Sequence, residues 1–196
     1  GITIYKGHNK SNIKKTDLIV YSSAVNLDNP EIESGKNNST PIIKRAELLG
    51  EMIKVKRTSL AVSGTHGKTT TASMIGNILY EDKKDPTLII GGIVNKFNSN
   101  NITGSGEIIV VEADEYDKSF LNLAPTYSII NNLDLEHIDS YNDLDDLLNS
   151  FANFANSIPF YGKVAINVDS LNIKRISNKI KKSKITFGIK ENADVS

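Results

Sequence analysis

A glycine-containing turn between an apolar run and a helical pattern carries the most recognisable chemistry in this sequence. Residues Gly64–Thr70 read GTHGKTT and follow the apolar run Ser59–Val62. Beyond the turn, apolar residues recur at helical spacing, namely Met74, Ile75, Ile78 and Leu79. Glycines let a backbone turn tightly and bring its N–H groups close to phosphate oxygens, and a helix N-terminus adds partial positive charge. This order of strand, turn and helix predicts a nucleotide triphosphate site.

Each residue type in this turn has a predicted task. Lys68 can reach the outer phosphates, and the Thr69 hydroxyl can ligate Mg²⁺. The longer phosphate-loop pattern would have glycine at position 62, where this chain has Val62, so the interpretation depends on the strand before the turn and the helix after it. An ordinary glycine turn with a solvated Lys68, and a solvent-facing His66, are the alternatives. The predicted cofactor-binding residues are Gly64, Thr65, His66, Gly67, Lys68, Thr69 and Thr70.

Two further candidates lie where predicted strands end. Glu112 follows the apolar strand Glu107–Val111, and His137 lies just past the strand Tyr127–Ile130. Ligands of open parallel sheets bind beyond the carboxyl ends of the strands, so both side chains are expected at the same rim. A carboxylate there can reach Mg²⁺ held by Thr69, and an imidazole can ligate a divalent cation, although Mg²⁺ prefers oxygen. The predicted metal ligands are therefore Thr69, Glu112 and His137, and the predicted catalytic residues are Lys68, Glu112 and His137.

Each of these candidates has an alternative interpretation. Glu112 belongs to an acidic run with Asp114, Glu115 and Asp117, which could be a surface loop, although so many like charges are easier to explain beside a cation. His137 alone could be a hydrogen-bonded loop histidine. In the first segment, His8, Ser22 and Ser23 also follow predicted strands and are candidate contacts to a second ligand, with ordinary turn residues as the alternative.

Composition narrows the classes of function. The chain has 196 residues, of which 39% are hydrophobic, and its 23 basic and 23 acidic residues give a net charge of zero. Because phosphate-backbone binding needs a basic excess, nucleic acid is not the expected partner. There is no cysteine for disulfide or thiolate chemistry, and no apolar run long enough to predict membrane insertion. The chain begins with Gly1 and has strand patterns at both ends, so it is expected to be an internal piece of a longer protein.

Strand and helix patterns alternate along the chain and predict an α/β fold with a mostly parallel sheet. In the first segment, an Asn29-Pro30-Glu31 helix start lies among the predicted strands, and a helix over Lys44–Lys54 is the expected connector. A polar loop is predicted over Asn95–Ser105. The predicted helices further on are Leu144–Ile158 and Leu171–Lys182. The other predicted strands are Ile2–Tyr5, Asp17–Tyr21, Pro41–Ile43, Thr87–Ile90 (ending in Gly91-Gly92), Lys163–Val168 and Ile185–Phe187.

Taken in order, the motifs resemble a known family. GTHGKTTT, VVEADEYDKSFL, NNLDLEHIDSY and PFYGKVAINVD are similar to the Mur ligases, and in particular to the members that add L-alanine to UDP-N-acetylmuramate. GITIYKGH, VYSSAVNLDNPEI and PIIKRAELLGEM resemble the end of that family's UDP-sugar-binding domain. The resemblance implies that residues 1–50 are the C-terminal part of a Rossmann-like UDP-sugar-binding domain with a connector helix. Residues 51–196 would be an incomplete, P-loop-type central ATPase domain, and the C-terminal ligase domain would be absent from this chain.

The resemblance also implies a reaction, with ATP and Mg²⁺ as cofactors and Glu112 and His137 as metal ligands. UDP-N-acetylmuramate and L-alanine would be joined through an acyl phosphate, in bacterial cytoplasmic peptidoglycan precursor synthesis. Several family members carry a carbamoylated lysine soon after the histidine, whereas this chain has no lysine between His137 and Lys163. A murein tripeptide-recycling ligase, a P-loop hydrolase or kinase, and a non-catalytic nucleotide-binding fragment are the alternatives. The sequence predicts no oligomeric state.

Overall fold

The chain folds into two compact units, Gly1–Leu49 and Gly50–Ser196, and strands and helices occur in both. The computed structural model describes residues 2–134 and 140–196. Both units have the predicted mixed α/β character, and the sheets are parallel apart from one strand pair. None of the described helices combines the length and apolar character needed to cross a membrane.

The first unit contains a two-stranded parallel sheet with a helix between its strands. Strand β1 (Ile19–Tyr21) pairs with β2 (Ile42–Lys44), and helix α1 (Pro30–Asn37) connects them. The α1 start confirms the prediction, since the Asn29 side chain accepts the Glu31 N–H and proline occupies the first turn. The strand predicted over Ile2–Tyr5 is wrong. These residues pair with no strand in the described part of the chain, and Ile2 and Ile4 are exposed.

The second unit is built on a seven-stranded sheet whose spatial order is β5-β4-β6-β3-β7-β8-β9. Among the described strand pairs, only the edge pair β4–β5 is antiparallel. The central strand β3 lies between β6 and β7, so the ends of these three strands are neighbours. The seven strands of this sheet are β3 Thr58–Ser63, β4 Thr87–Val94, β5 Ser99–Ile102, β6 Ile108–Glu112, β7 Tyr127–Ile130, β8 Lys163–Asn167 and β9 Lys184–Phe187.

The structure describes four further α-helices. They are α2 Arg45–Met52, α3 Lys68–Glu81, α4 Leu144–Asn156 and α5 Leu171–Ser177. Short 3₁₀ helices span Lys10–Asn12, Ile53–Val55 and Tyr116–Asn122. Helix α5 ends at Ser177 rather than at the predicted Lys182, while α4 begins where predicted, with the Asp143 side chain accepting the Asp146 N–H.

The prediction from sequence was wrong for the segment after Ile90. Strand β4 continues through Gly91-Gly92 to Val94, and the predicted loop contains β5, which pairs with β4 through Leu88 and Ile102. The physical reason is packing, because Val94, Phe97 and Ile102 all pack in or against the core. These three residues do not alternate regularly with polar ones, so the local sequence does not predict a strand. Tertiary contacts determine the structure of this segment instead.

Helix α3 is fixed to the sheet by a hydrophobic core. Ala72 packs with buried residues of three strands, and Ile75 and Leu79 pack against the same cluster. The strand residues of this cluster are Val62, Leu88, Ile90, Val94 and Val110. This packing holds the N-terminus of α3 at the carboxyl end of β3, where the predicted phosphate site lies.

Candidate nucleotide and metal site

Two glycines in left-handed backbone conformations shape the turn between β3 and α3. Gly64 has φ +135° and Gly67 has φ +75°. A Cβ atom at Gly64 would lie 3.1 Å from the Asn131 Cβ and from the Asn132 backbone N and O, so space and conformation both favour glycine there. The chain therefore approaches the end of β7 closely at this point.

The N-terminus of α3 presents unsatisfied amide groups. Gly67 is the N-cap residue, and no side chain of the described residues caps the helix. The first backbone bond of the helix runs from the Thr71 N–H to the Gly67 carbonyl, so the N–H groups of Lys68, Thr69 and Thr70 have no acceptor within the helix. Together with the helix dipole, these donors form an anion site of the kind that binds phosphate.

The turn is held by the residues that follow β7. The Thr65 N–H donates to the Asn132 carbonyl (3.2 Å), and the His66 N–H donates to Asn132 Oδ1 (2.7 Å). Asn132 Nδ2 donates in return to the His66 carbonyl (3.0 Å), and the Asp134 N–H donates to Thr65 Oγ1 (2.9 Å). The Asn131 side chain donates to Thr71 Oγ1 (3.0 Å). The backbone of His66 thus helps to fix the turn, while its side chain is half exposed.

Sequence reasoning missed the anchoring role of Asn131 and Asn132. The available signal was their position directly after β7, at the same rim as Glu112 and the turn. Two consecutive amides at a strand end supply both donors and acceptors to a neighbouring loop.

Lys68 is not a solvated surface lysine. Its side chain is 15% exposed, and its Nζ donates to the Gly64 carbonyl (2.8 Å) and to both carboxylate oxygens of Glu115 (2.9 and 2.7 Å). The Glu115 side chain is only 3% exposed. Sequence reasoning missed this partner, because Glu115 stands in an acidic run in which Glu112 was the residue chosen.

The segment that carries Glu115 is fixed in place by several contacts. Tyr141 Oη donates to the Glu115 carbonyl (2.7 Å), and Lys118 Nζ donates to both carboxylate oxygens of Asp146 on α4 (2.8 Å each). Asp117 and Lys118 have φ +54° and +53°, a left-handed conformation that is costly for residues other than glycine. Such a conformation persists only where surrounding contacts stabilise it.

Aromatic packing and the buried Tyr141 hydroxyl also stabilise the segment that carries Glu115. Phe120 contacts Phe151 and Phe154 of α4, with ring centroids 4.9 and 5.1 Å apart. Burial, and next the negative charges of Glu115 and Asp146, raise the pKa of Tyr141 above its usual value. The Tyr141 hydroxyl therefore remains a hydrogen-bond donor throughout the neutral pH range.

Glu112 and Thr69 both lie against the glycine pair of β4. Cβ atoms at Gly91 and Gly92 would be 2.8 Å from Glu112 Oε2 and from Thr69 Cγ2, respectively. Glu112 Oε1 is buried and has no hydrogen-bond partner among the described residues. A buried, unpartnered carboxylate oxygen is unfavourable by itself, and a divalent cation would satisfy it. Glu112 and Thr69 thus fit Mg²⁺ in chemistry, since both offer oxygen ligands.

The third predicted ligand, His137, lies outside the described residues. Within 2–134 and 140–196, no three His, Cys, Asp or Glu side chains are grouped closely enough to hold a metal ion. The predicted set of Thr69, Glu112 and His137 therefore stays a prediction, of which the structure shows two members beside the same glycine pair.

Comparison with known proteins assigns the chain to a family. The family model described as "Mur ligase middle domain" matches residues 62–196, and that described as "Mur ligase family, catalytic domain" matches residues 1–57. This chain belongs to the Mur ligase family. The resemblance drawn from the sequence motifs is confirmed.

Individual Mur ligases match along the whole chain. UDP-N-acetylmuramate–L-alanine ligases from Persephonella marina and a Sulfurihydrogenibium species are 50% and 47% identical to it over 195 residues. The match covers 100% of this chain but only 42% and 43% of those proteins. The chain therefore spans less than half the length of these relatives.

Solved structures of Mur ligases share the fold. The UDP-N-acetylmuramate–alanine ligase from Thermotoga maritima is 30% identical with a TM-score of 0.78, over 94% of this chain and 41% of that one. The UDP-N-acetylmuramate:L-alanyl-γ-D-glutamyl-meso-diaminopimelate ligase from Neisseria meningitides is 26% identical with a TM-score of 0.83, over 93% of this chain and 62% of that one.

The candidate substrate residues belong to the first unit of this Mur ligase chain. His8 Nδ1 lies 3.2 Å from Glu31 Oε2, and Ser22 Oγ accepts the Ala24 N–H at 3.3 Å. Ser23 is exposed directly after Ser22, in the turn that follows β1. These contacts are local to the unit, and a role of His8, Ser22 and Ser23 in substrate binding stays a prediction.

Proposed function

We propose that this chain is the ATP-binding part of a ligase that joins UDP-N-acetylmuramate to L-alanine. The main supporting observation is the turn Gly64–Thr70, which combines the N-terminus of α3 with Lys68. Near it, Thr69 and Glu112 lie against the same glycine pair, and Glu112 Oε1 has no hydrogen-bond partner among the described residues. The names and identities of the full-chain relatives support the choice of substrates. The resulting assignment is residues 1–50 to UDP-sugar binding and 51–196 to ATP binding.

The central physical demand of such a reaction is charge. The lactyl carboxylate of UDP-N-acetylmuramate must approach the γ-phosphate of ATP, and both are anionic. The first-turn N–H groups of α3 and the Lys68 ammonium are positioned to offset the charge of the phosphates. When bound, Mg²⁺ would be held by Glu112 and Thr69 and would neutralise further phosphate charge.

The proposed reaction has two chemical steps. A carboxylate oxygen attacks the γ-phosphorus, which gives an acyl phosphate and ADP. The amine of L-alanine attacks the carbonyl carbon of that acyl phosphate, loses a proton and expels inorganic phosphate. The rigid turn serves the first step, because a preorganised set of donors needs no rearrangement as charge shifts.

A second candidate has structural support. The tripeptide-adding ligase from Neisseria superposes with a TM-score of 0.83, compared with 0.78 for the alanine ligase from Thermotoga. Both chemistries use the same ATP step, so the described site does not separate them. The sequence identities favour L-alanine.

The test is phosphate release by the full-length protein with ATP, Mg²⁺ and UDP-N-acetylmuramate. L-alanine and the tripeptide L-alanyl-γ-D-glutamyl-meso-diaminopimelate are compared as the amine. Release that depends on L-alanine is expected. Dependence on the tripeptide would favour the second candidate, and release without any amine would indicate a hydrolase. ATP binding without turnover would indicate a non-catalytic protein.

A further inference from the structure

Glu115 stands apart from every other charged residue that the structure describes. It is the one that is buried, with 2% of its surface exposed, although it lies in an acidic run whose other members are half-buried or exposed. Both of its carboxylate oxygens accept hydrogen bonds from Lys68 Nζ. A buried carboxylate needs such a partner, because desolvation otherwise disfavours its charge.

The donors of Lys68 are fully engaged in this arrangement. An ammonium group has three N–H donors, and Nζ contacts the Gly64 carbonyl and the two oxygens of Glu115 at 2.7–2.9 Å. A phosphate that Lys68 binds must take over at least one of these donors. Glu115 and the outer phosphates therefore compete for the same ammonium group.

The backbone of Glu115 is held in place, so its carboxylate stays near Lys68 unless its own side-chain torsions change. Its carbonyl accepts the Tyr141 hydroxyl and the Lys118 N–H, and the Lys118 side chain is bound to Asp146. The aromatic packing of Phe120 against α4 fixes the same segment. A phosphate that binds Lys68 while Glu115 keeps its contact would lie within about 6 Å of this negative charge, at which distance like charges repel substantially in a partly buried site.

We propose that Glu115 is a built-in counter-ion of Lys68, which holds this lysine in the nucleotide-free protein and lowers the affinity of the turn for the outer phosphates of ATP. The proposal rests on the proposed nucleotide-binding function. Glu115 acts through Lys68 and is a positioning residue. The negative charge of Glu115 offsets the positive charge of Lys68 while no nucleotide is bound. Weakly binding anions are therefore attracted little to the turn.

The test is the dissociation constant of ATP for the full-length protein and its Glu115→Gln variant, measured by titration calorimetry without the other substrates. Glutamine keeps the size and one acceptor but removes the charge, so the Kd for ATP should fall on the order of tenfold. The Kd for AMP should change by less than about twofold, because AMP lacks the outer phosphates that Lys68 reaches. A general change in folding would move both constants.

The matched control is Asp114→Asn, which removes an exposed negative charge from the adjacent residue. It should leave the Kd for ATP nearly unchanged. Glu115→Asp retains the charge but draws it away from Lys68, and should lower the Kd for ATP by a smaller factor than glutamine. This second variant also serves if Glu115→Gln does not fold.

The outcomes separate the two proposals. An unchanged or raised Kd for ATP in the Glu115 variants would overturn the counter-ion proposal, and so would an equal decrease for AMP or for Asp114→Asn. The proposed function would stand in those cases, because the wild-type protein still binds ATP. Absence of ATP binding by the wild-type protein would overturn both.

Discussion

At the scale of single residues, most polar side chains of the site have hydrogen-bond partners among the described residues, and Glu112 is the exception that matters for a cation. Lys68 is bound to Glu115, the turn is bound to Asn131 and Asn132, and Glu112 Oε1 is the buried carboxylate oxygen that has no partner among the described residues. This contrast assigns Glu115 to the positioning of Lys68 and leaves Glu112 available for a cation. The two acids are three positions apart in sequence and differ in chemistry because of their surroundings.

Replacing Lys68 with alanine tests the phosphate site. In the full-length enzyme, Lys68→Ala should lower kcat on the order of 100-fold or more, since a preorganised positive charge at the phosphates is lost. The change also leaves Glu115 buried without a partner, which destabilises a fold. The control is the Lys68→Ala/Glu115→Gln double variant, which should unfold at a higher temperature than Lys68→Ala and remain just as slow. Near-normal turnover in either variant would sink the assignment.

Glu112 is tested by the Mg²⁺ dependence of the rate. Glu112→Ala should raise the Mg²⁺ concentration needed for half-maximal activity, because one oxygen ligand is removed. Gly91→Ala should act in the same direction, since its Cβ would displace the Glu112 carboxylate from a position 2.8 Å away. Asp114→Asn serves as the control, because Asp114 is exposed in the same acidic run, and its Mg²⁺ requirement should match that of the wild-type protein. Unchanged Mg²⁺ titrations for both variants would count against a ligand role.

At the scale of elements, the strand ends place these residues together. Strands β6, β3 and β7 are neighbours and run parallel, so Glu112, the turn and Asn131 meet at one rim. Helix α4 contributes from outside the sheet, because Asp146 and two phenylalanines hold the segment that carries Glu115. The site therefore depends on α4 although no residue of α4 touches Lys68 through the described hydrogen bonds.

The Lys118–Asp146 contact predicts a specific pH dependence of stability. Hydrogen bonds from Lys118 and the Asn142 N–H hold the pKa of Asp146 below its usual value. A lowered pKa in the folded state means that the stabilisation is present above the unfolded-state pKa, near pH 4, and is lost as the pH falls through the folded-state value. Asp146→Asn should therefore unfold at a lower temperature than wild type at pH 6, and the difference should shrink below about pH 4.

Thermal unfolding of both proteins between pH 6 and pH 3 measures this. Asp145→Asn is the matched control, since Asp145 is exposed on the same helix turn. It should follow the wild-type profile. A difference between wild type and Asp146→Asn that grows on acidification would contradict the assignment.

Sequence patterns predicted the strands whose apolar runs were continuous. Strand β7 has the predicted bounds Tyr127–Ile130, and β3 and β6 agree closely with prediction. The patterns failed for Ile2–Tyr5, where the short stretch Ile-Thr-Ile-Tyr has no pairing partner in the described chain. They also failed for β5, whose polar residues are ordered by pairing with β4. Pairing between distant segments is not written into local composition.

The same limit applies to the site. The turn and Lys68 were predictable because a strand, glycines and a helix occur consecutively in sequence. Glu115 and Asn132 were not, because their roles depend on which side chain becomes buried and on which strand becomes a neighbour. Both choices are made by tertiary packing.

At the scale of the whole molecule, the chain contains the proposed phosphate-binding turn and spans less than half the length of the relatives that match along all of it. The fold and family are those of Mur ligases. The reaction proposed for this turn is the activation of a carboxylate of UDP-N-acetylmuramate by phosphorylation.

Oxygen transfer tests that central claim most directly. The full-length protein is given ATP, Mg²⁺, L-alanine and UDP-N-acetylmuramate whose lactyl carboxylate carries ¹⁸O at both oxygens, and the released phosphate is examined by mass spectrometry. An acyl-phosphate route predicts one ¹⁸O atom in each phosphate, because the carboxylate oxygen that attacked phosphorus leaves with it. Phosphate without ¹⁸O, released in step with the amide product, would contradict the account.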